Sequence, residues 1–183
     1  MDIDARAGRG QDYPMRFPAA ATILALCVLD CDGGLKPEVS TTFCPTGICG
    51  VVHFRGAVPD STDYVRVVVY QAIPDSLDQL IAFAGVSDAL PLGPDSAIYT
   101  CCITPLAPGA YAWVLVVWKK LGVLDVNSAP ALLREIGSYY DPADTTTLGS
   151  VTVPASGGTG GIDMVADYGR MRSISDFFPP AER

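Results

Sequence analysis

The sequence segment most informative about the architecture is Pro108-Gly109-Ala110-Tyr111-Ala112-Trp113-Val114-Leu115-Val116-Val117-Trp118, which is followed by Lys119 and Lys120. Pro108-Gly109 is a turn signal, and the run after it carries β-branched and aromatic side chains on both alternating faces. Apolar side chains on both faces are typical of a strand that is covered on both sides. We therefore predict that this run is the central strand of a β-sandwich.

The composition favours short apolar strands joined by many turns. The chain has 183 residues, of which 49% are hydrophobic and 17% charged, with 18 Gly and 15 Pro. About 100 to 150 residues suffice to bury a sandwich core, so we expect one folded domain. The net charge of −8 and the lack of a Lys/Arg stripe in the sequence argue against nucleic acid as a partner.

The first thirty residues predict an export signal. Residues 1–14 are polar, and Met15-Arg16 precedes an uncharged run from Phe17 to Leu29. A basic start before about 7 to 15 apolar residues is the secretory signal pattern, whereas a spanning helix needs roughly 20. We expect translation to begin at Met15 and residues 1–30 to be an N-terminal extension and signal peptide. A core strand or helix, or a short uncleaved anchor, is the alternative.

The segment Cys31-Asp32-Gly33-Gly34 resembles the cleavage region of bacterial lipoproteins, in which a cysteine takes a lipid and becomes the mature N-terminus. Asp30 stands where those signals usually carry a small residue, and Leu26 precedes the other candidate, Cys27. The acidic, Gly-rich segment after Cys31 looks like a lipoprotein tether. We therefore expect lipidation at Cys31, a tether over residues 31–46 and a domain held at a bilayer. Ordinary secretion is the alternative.

Strand patterns recur between residues 47 and 168, at 48–55, 64–71, 97–104, 110–118, 150–153 and 162–168. They predict an all-β fold, a Greek-key-type antiparallel β-sandwich of about seven strands, with residues 169–183 as a C-terminal tail. The short turn before the central strand predicts that strand 97–104 pairs with it as an antiparallel hairpin. The Gly-rich segment 157–161 is predicted to be a hairpin turn.

Two segments have helical signals. Ser128 can cap a helix, Pro130 can occupy its first turn and Gly137 can end it, so we predict a short helical excursion after the central strand. Ser76 and Gln79 have the spacing of a capping box, but the run from Leu80 to Phe83 also fits a strand. The sequence does not decide between a helix and a strand for this segment.

Four segments together resemble carboxypeptidase-regulatory-like and prealbumin-like β-sandwich modules, in which a Leu-x-Pro-Gly-x-Tyr turn leads into a core strand. The segments are Gly50-Val51-Val52-His53-Phe54, Val65-Arg66-Val67-Val68-Val69, Leu106-Ala107-Pro108-Gly109-Ala110-Tyr111 and Gly160-Gly161-Ile162-Asp163-Met164-Val165. The chain also resembles uncharacterised bacterial lipoproteins with one such module after a Cys-Asp-Gly-Gly tether. The resemblance implies a mostly non-catalytic module and carries over no functional residue.

The six cysteines are the most informative polar residues. Cys27 would leave with the signal and Cys31 would take the lipid, which leaves Cys44, Cys49, Cys101 and Cys102 for disulfides in an oxidising compartment. A Cys44–Cys49 bond would close a small loop. We prefer a bridge from Cys44 or Cys49 to Cys101 or Cys102, because a longer closed loop gives more stability. A four-thiolate zinc site lacks the Cys-x-x-Cys spacing.

Catalytic and metal-binding signals are weak. The single histidine, His53, lies on a predicted strand, and no nucleophile motif accompanies it. Asp141 with Asp144, and Asp163 with Asp167, could hold calcium through oxygen ligands, but the first pair has the pattern of a turn. A pair of glycosidase carboxylates is a further alternative. We predict no catalytic residue, no metal and no cofactor.

Aromatic residues suggest the one ligand-binding alternative. Trp113 and Trp118 are five residues apart, so they should face opposite sides of an unbulged strand. Trp118, Tyr139 and Tyr140 could form a stacking platform for sugars if the indole is exposed.

These observations predict a non-catalytic β-sandwich with a structural or interaction role. It would be extracytoplasmic and membrane-anchored in a bacterial envelope, in the periplasm or at the outer membrane surface. The expected partners are the membrane, through the lipid, and a protein or glycan of the envelope. The alternative is a carbohydrate-binding module that uses exposed aromatic residues.

Overall fold

The computed structural model describes residues 44–101 and 106–178. They contain one four-residue α-helix, α1 (Ala129–Leu132), two 3₁₀ helices, Asp78–Ile81 and Ile174–Phe177, and thirteen short strands. The strands are β1 (Gly47–Arg55), β2 (Thr62–Tyr70), β3 (Gly85–Val86), β4 (Ser96–Cys101), β5 (Gly109–Tyr111), β6 (Trp113–Lys120), β7 (Leu133–Ser138), β8 (Tyr140–Asp141), β9 (Asp144–Leu148), β10 (Val151–Val153), β11 (Gly158–Thr159), β12 (Met164–Asp167) and β13 (Arg172–Ser173).

Two sheets form the sandwich. The main sheet has the strand order β13-β7-β6-β2-β3, with every neighbouring pair antiparallel. In the second sheet, β1 pairs antiparallel with β4 and parallel with β11 and β12. The remaining strands among the described residues form two separate two-stranded sheets, β5 with β10 and β8 with β9. The all-β sandwich is confirmed, although the parallel pairs of β1 depart from the predicted purely antiparallel arrangement.

The inner core lies between the two sheets. Val65, Val67 and Val69 project into it from β2, because alternate residues of a strand share a face. Val114, Val116 and Trp118 of β6 project the same way, and the second sheet supplies Ile48, Val52, Tyr99, Met164 and Ala166. Burying each large apolar side chain stabilises the fold by about 1.5 to 3 kcal/mol relative to exposure.

A second core covers the opposite, outer face of the main sheet. Trp113, Leu115 and Val117 of β6 and Val68 and Tyr70 of β2 pack there under residues of the two 3₁₀ helices, Leu80 and Ile174. Phe177 packs against Trp113 with the two rings tilted and their centroids 4.8 Å apart. The predicted coverage of the central strand on both faces is therefore confirmed, as is the placement of the two tryptophans on opposite faces.

The predicted hairpin between strand 97–104 and the central strand is wrong. β4 pairs with β1 in the second sheet, whereas β6 pairs with β2 and β7 in the main sheet. The burial patterns give the physical reason. On β4 every second side chain is exposed, with Ile98 at 70%, but seven of the eight residues of β6 are buried. Only a strand between two neighbours, covered on both faces, can bury β6 in this way.

The helical excursion is shorter than predicted. Ser128 precedes α1 and Pro130 occupies its first turn, but the chain leaves the helix after Leu132 and enters β7. Gly137 therefore lies in a strand and does not end a helix. The pairing of β6 with β7 has a bulge next to this glycine, between the partners of Val116 and Val117. The segment at Leu80, for which the sequence fitted both a helix and a strand, forms a 3₁₀ helix.

The Gly-rich segment 157–161 is not a hairpin turn. β10 before it pairs with β5, and β12 after it pairs with β1, so the flanking strands belong to different sheets. Gly158 and Thr159 themselves form β11 beside the start of β1. Residues 172–178 of the predicted tail pack on the outer face through β13 and the second 3₁₀ helix. The predicted signal peptide, Cys31, Cys102 and most of the predicted tether lie outside the described residues.

Candidate functional site

An apolar pocket opens on the outer face of the main sheet, and we call it the outer-face pocket. It encloses about 340 Å³. Its floor consists of Val68, Tyr70 and Val117, which share this face of β2 and β6 because strand side chains alternate. Leu80 and Leu133 form part of its walls. The volume lies at the lower end of the range typical of small-molecule sites.

The rim of the outer-face pocket is apolar and exposed. Ile81, the last residue of the first 3₁₀ helix, is 62% exposed, and Phe83 just after that helix is 44% exposed. Leu124 of the β6–α1 connection is 41% exposed. Two separate loops thus present large apolar side chains around one opening. Contiguous apolar exposure of this kind marks binding surfaces more often than scattered single residues do.

Tyr70 connects the floor of the outer-face pocket to one of its walls. Its hydroxyl donates a hydrogen bond to the carbonyl oxygen of Leu80 at 2.7 Å, which ties β2 to the first 3₁₀ helix. Its ring stacks on Trp113 with centroids 5.5 Å apart. Burial raises the pKa of Tyr70 from 10.0 to about 12, so the phenol is neutral at physiological pH. The hydrogen bond therefore joins the floor of the pocket to the wall formed by the first 3₁₀ helix.

Arg66 brings a positive charge to the same pocket. Its Nη1 donates to the carbonyl oxygen of Ser87 at 3.1 Å, and its guanidinium lies 5.0 Å from the centre of the Tyr64 ring. Its Nε is buried and has no acceptor among the described residues. Asp125 also lines the pocket. Its Oδ1 accepts a hydrogen bond from the backbone N–H of Ser128 at 2.8 Å, and this bond is the largest cause of the lowered pKa of the Asp125 carboxyl.

A second concavity of about 610 Å³ lies at the β7–β12 edge of the sandwich, and we call it the arginine cleft. Arg55, Arg170 and Arg172 line it, three of the seven Lys and Arg side chains in the described residues. Glu135 and Asp167 also line it. The cleft thus carries a local excess of one positive charge, although the described residues together carry 13 carboxylates against seven cations.

A buried polar network forms one wall of the arginine cleft. Glu135, 1% exposed, accepts hydrogen bonds from Ser138 Oγ at 2.8 Å and from Arg172 Nε at 2.8 Å. Ser138 in turn accepts from the Trp113 indole at 3.2 Å, and Arg172 donates to the Tyr140 hydroxyl at 2.9 Å. The bond to Glu135 raises the pKa of Arg172, which stays charged. Because both Glu135 oxygens have donors, this carboxylate is a structural element of the wall.

The predicted aromatic platform does not form. Trp118 is 6% exposed and belongs to the inner core, and its indole donates to Thr62 Oγ1 at 2.7 Å. The condition for this alternative, an exposed Trp118 indole, is therefore not met, because β6 is covered on both faces. Tyr139 packs against the inner core and Tyr140 lines the arginine cleft, and both are half-buried. The structure does not bring these two tyrosines together with Trp118, which lies opposite Arg134 near the start of β7.

The disulfide pairing differs from the preferred one. Cys44 and Cys49 are bonded to each other, with 5.6 Å between their Cα atoms. The preferred bridge from either of them to Cys101 or Cys102 is therefore wrong. The turn at Cys44–Thr46 brings Cys44 next to Cys49 of β1, and the two sulfurs lie 3.3 and 3.8 Å from the carbonyl oxygen of Thr46. Cys101 is disulfide-bonded as well.

The weak catalytic and metal signals stay separate in the structure. His53 is exposed on β1. Asp141 and Asp144 lie at the β8–β9 turn, where Asp144 accepts from Thr146 and Thr147, and those bonds lower its pKa. Asp163 accepts from the Val51 backbone. Within residues 44–101 and 106–178, no group of three or more His, Cys, Asp or Glu side chains could hold a metal ion.

Comparison with known proteins identifies no relative. No family model, curated protein or solved structure matches the chain. Among the described residues no helix has the length and apolar character needed to cross a membrane.

Sequence reasoning missed both concavities. The one signal for the outer-face pocket was Arg66, a cation between the apolar residues Val65 and Val67 of β2. The arginine cleft joins positions far apart in the chain, such as Arg55 and Arg172, that no local pattern connects.

Proposed function

We propose that this protein is an exported, lipid-anchored, non-catalytic β-sandwich that binds a component of the bacterial envelope. The outer-face pocket is the observation that carries the proposal. Ile81, Phe83 and Leu124 surround it and stay exposed, at 62%, 44% and 41%, although the sandwich already has two buried cores. Since exposed apolar rims are costly in water, we assign this one to an interaction.

The cysteines support the proposed compartment. A disulfide such as Cys44–Cys49 persists in oxidising surroundings and is rare in the reducing cytosol. Cys44 follows the proposed lipid site Cys31 by thirteen residues, a stretch that reaches at most about 45 Å when fully extended. Such a tether would keep the domain close to the bilayer that holds its lipid.

Metabolic labelling tests the anchor. The full chain is expressed in a bacterial host with radiolabelled palmitate, alongside Cys31→Ser and the matched control Cys27→Ser. We expect label and membrane fractionation in the wild type and in Cys27→Ser, and loss of both in Cys31→Ser. Label that persists in Cys31→Ser, or a wild-type chain that fractionates with the cytosol, would contradict the proposal.

A further inference from the structure

The outer-face pocket is apolar apart from a few polar residues, and its one cation, Arg66, has a side-chain N–H without a hydrogen-bond acceptor in the described part of the chain. Arg66 projects from the middle of β2, where its partner residue is Val117 of β6. Its Nη1 is engaged by Ser87, and its Nε is the one buried side-chain nitrogen or oxygen in the described residues that has no hydrogen-bond partner. Leaving a buried charged donor without an acceptor is costly, so such a group calls for an explanation.

Within the pocket, the surroundings favour an anionic acceptor. The other wall and rim residues near Arg66 are mostly apolar, and they include Val68, Val86 and Phe83. Tyr64 contributes a ring face to the guanidinium rather than an acceptor oxygen. The one carboxylate that lines the pocket, Asp125, is exposed and accepts from Ser128. Arg66 is therefore the one cation among the described residues that line the pocket, and an incoming oxyanion would pair with its guanidinium.

We propose that the outer-face pocket binds a single-chain amphiphile that ends in a carboxylate, such as a medium-chain fatty acid. The inference rests on the proposed binding function and names its ligand class. The carboxylate pairs with the Arg66 guanidinium, and a planar two-oxygen acceptor suits the edge of that group. The alkyl chain lies between Ile81, Phe83 and Leu124. A volume of about 340 Å³ fits one short chain rather than a multi-chain lipid.

Calorimetric titration of the purified protein with decanoate tests the proposal, with decanol and decyl phosphate as probes of the same chain length. We expect saturable one-to-one binding of decanoate, at least tenfold tighter than that of decanol. Tighter binding of decyl phosphate than of decanoate would overturn the carboxylate assignment. The absence of saturable decanoate binding would overturn the proposal as a whole.

Two variants separate the head group from the chain. Arg66→Met keeps the aliphatic stem but removes the guanidinium, so decanoate affinity should fall at least tenfold while decanol affinity stays unchanged. The matched control Arg134→Met, on β7 and outside the pocket, removes a guanidinium that also donates to backbone carbonyls. It should leave decanoate affinity unchanged. Equal decanoate affinity in Arg66→Met and the wild type would contradict the inference.

A rim variant covers the case in which Arg66→Met does not fold. Phe83→Ser changes an exposed side chain and should weaken both decanoate and decanol binding at least threefold, with an unchanged circular dichroism spectrum. Binding unaffected by Phe83→Ser would place the ligand elsewhere and overturn the proposal. If decanoate does not bind but palmitate labelling still depends on Cys31, the ligand class fails while the proposed anchored function stands.

Discussion

Gly137 on β7 lies directly against the carbonyl oxygen of Val165 on β12: a Cβ at position 137 would come within 2.2 Å of that oxygen. This contact joins the main sheet to the second sheet at the floor of the arginine cleft. Backbone meets backbone here, so no side-chain rotation can make room. The glycine is required for the approach of the two strands rather than for an unusual backbone angle.

Gly137→Ala should therefore lower the free energy of unfolding by about 2 to 3 kcal/mol, the upper part of the range for overpacking, because the clash is with backbone. Gly157→Ala is the control, because Gly157 has a φ of 83° but no atom within 4 Å of an added Cβ. The Gly157→Ala variant should lose only about 1 to 2 kcal/mol of unfolding free energy, because alanine is strained at a positive φ. Urea unfolding measures both, and equal losses would contradict the close approach of β7 and β12.

Arg172→Gln should destabilise the fold by about 1 to 3 kcal/mol. The change leaves Glu135, whose side chain is 2% exposed, with Ser138 as its remaining donor. Arg170→Gln is the control, since its ion pair with Asp167 spans 3.8 Å and its side chain is 88% exposed. That variant should change stability by less than about 1 kcal/mol. Thermal or urea unfolding distinguishes the two, and no difference between them would argue against a buried network at Glu135.

Stability should fall as the pH rises from about 10 to about 12. Burial raises the pKa of Tyr70 from 10.0 to about 12, so in this window the unfolded chain ionises at Tyr70 while the folded chain does not. Ionisation of Tyr70 in the unfolded chain lowers the free energy of unfolding by about 2 to 3 kcal/mol across this window, and this effect is absent below pH 10. Burial also raises the pKa of Tyr99, which adds to the fall.

Comparison of Tyr70→Phe with the wild type isolates that contribution. The variant loses the hydrogen bond to Leu80 and should be less stable by about 1 kcal/mol below pH 10. Its unfolding free energy should then fall less steeply between pH 10 and pH 12, since it has no phenol to ionise at this position. Urea unfolding at several pH values gives both curves, and parallel curves would show that Tyr70 titrates normally in the folded chain.

Replacing both Cys44 and Cys49 by alanine should lower the free energy of unfolding by about 2 kcal/mol. The bond closes a loop with a sequence separation of 5, and short loops remove less entropy from the unfolded chain than long ones. Peptide mapping without reduction should recover the Cys44–Cys49 pair from the wild type. A fragment that joins either cysteine to a distant one would contradict the pairing.

The sequence was sufficient to predict the sandwich and the central position of β6, because a run from Trp113 to Trp118 with two apolar faces has few other stable environments. The opposite placement of the two indoles followed from strand alternation alone. These properties depend on local periodicity, which a single sequence displays.

The strand partners and the concavities could not be predicted in the same way. Pairing of β4 with β1, and of β12 with β1 in parallel, depends on contacts between segments far apart in the chain. Burial of Trp118 depends on how fully β6 is covered, and the arrangement of Glu135 and Arg172 depends on the β7–β13 register. Resemblance to prealbumin-like modules and the lipid anchor remain predictions.

The mass of the N-terminal peptide of the mature protein tests the central claim most directly. The full chain is expressed in a bacterial host, extracted from the membrane fraction, digested and analysed by mass spectrometry. We predict a first residue of Cys31 that carries acyl groups, followed by Asp32 and Gly33. An unacylated N-terminus, or a mature chain that keeps the run from Phe17 to Leu29, would contradict the account.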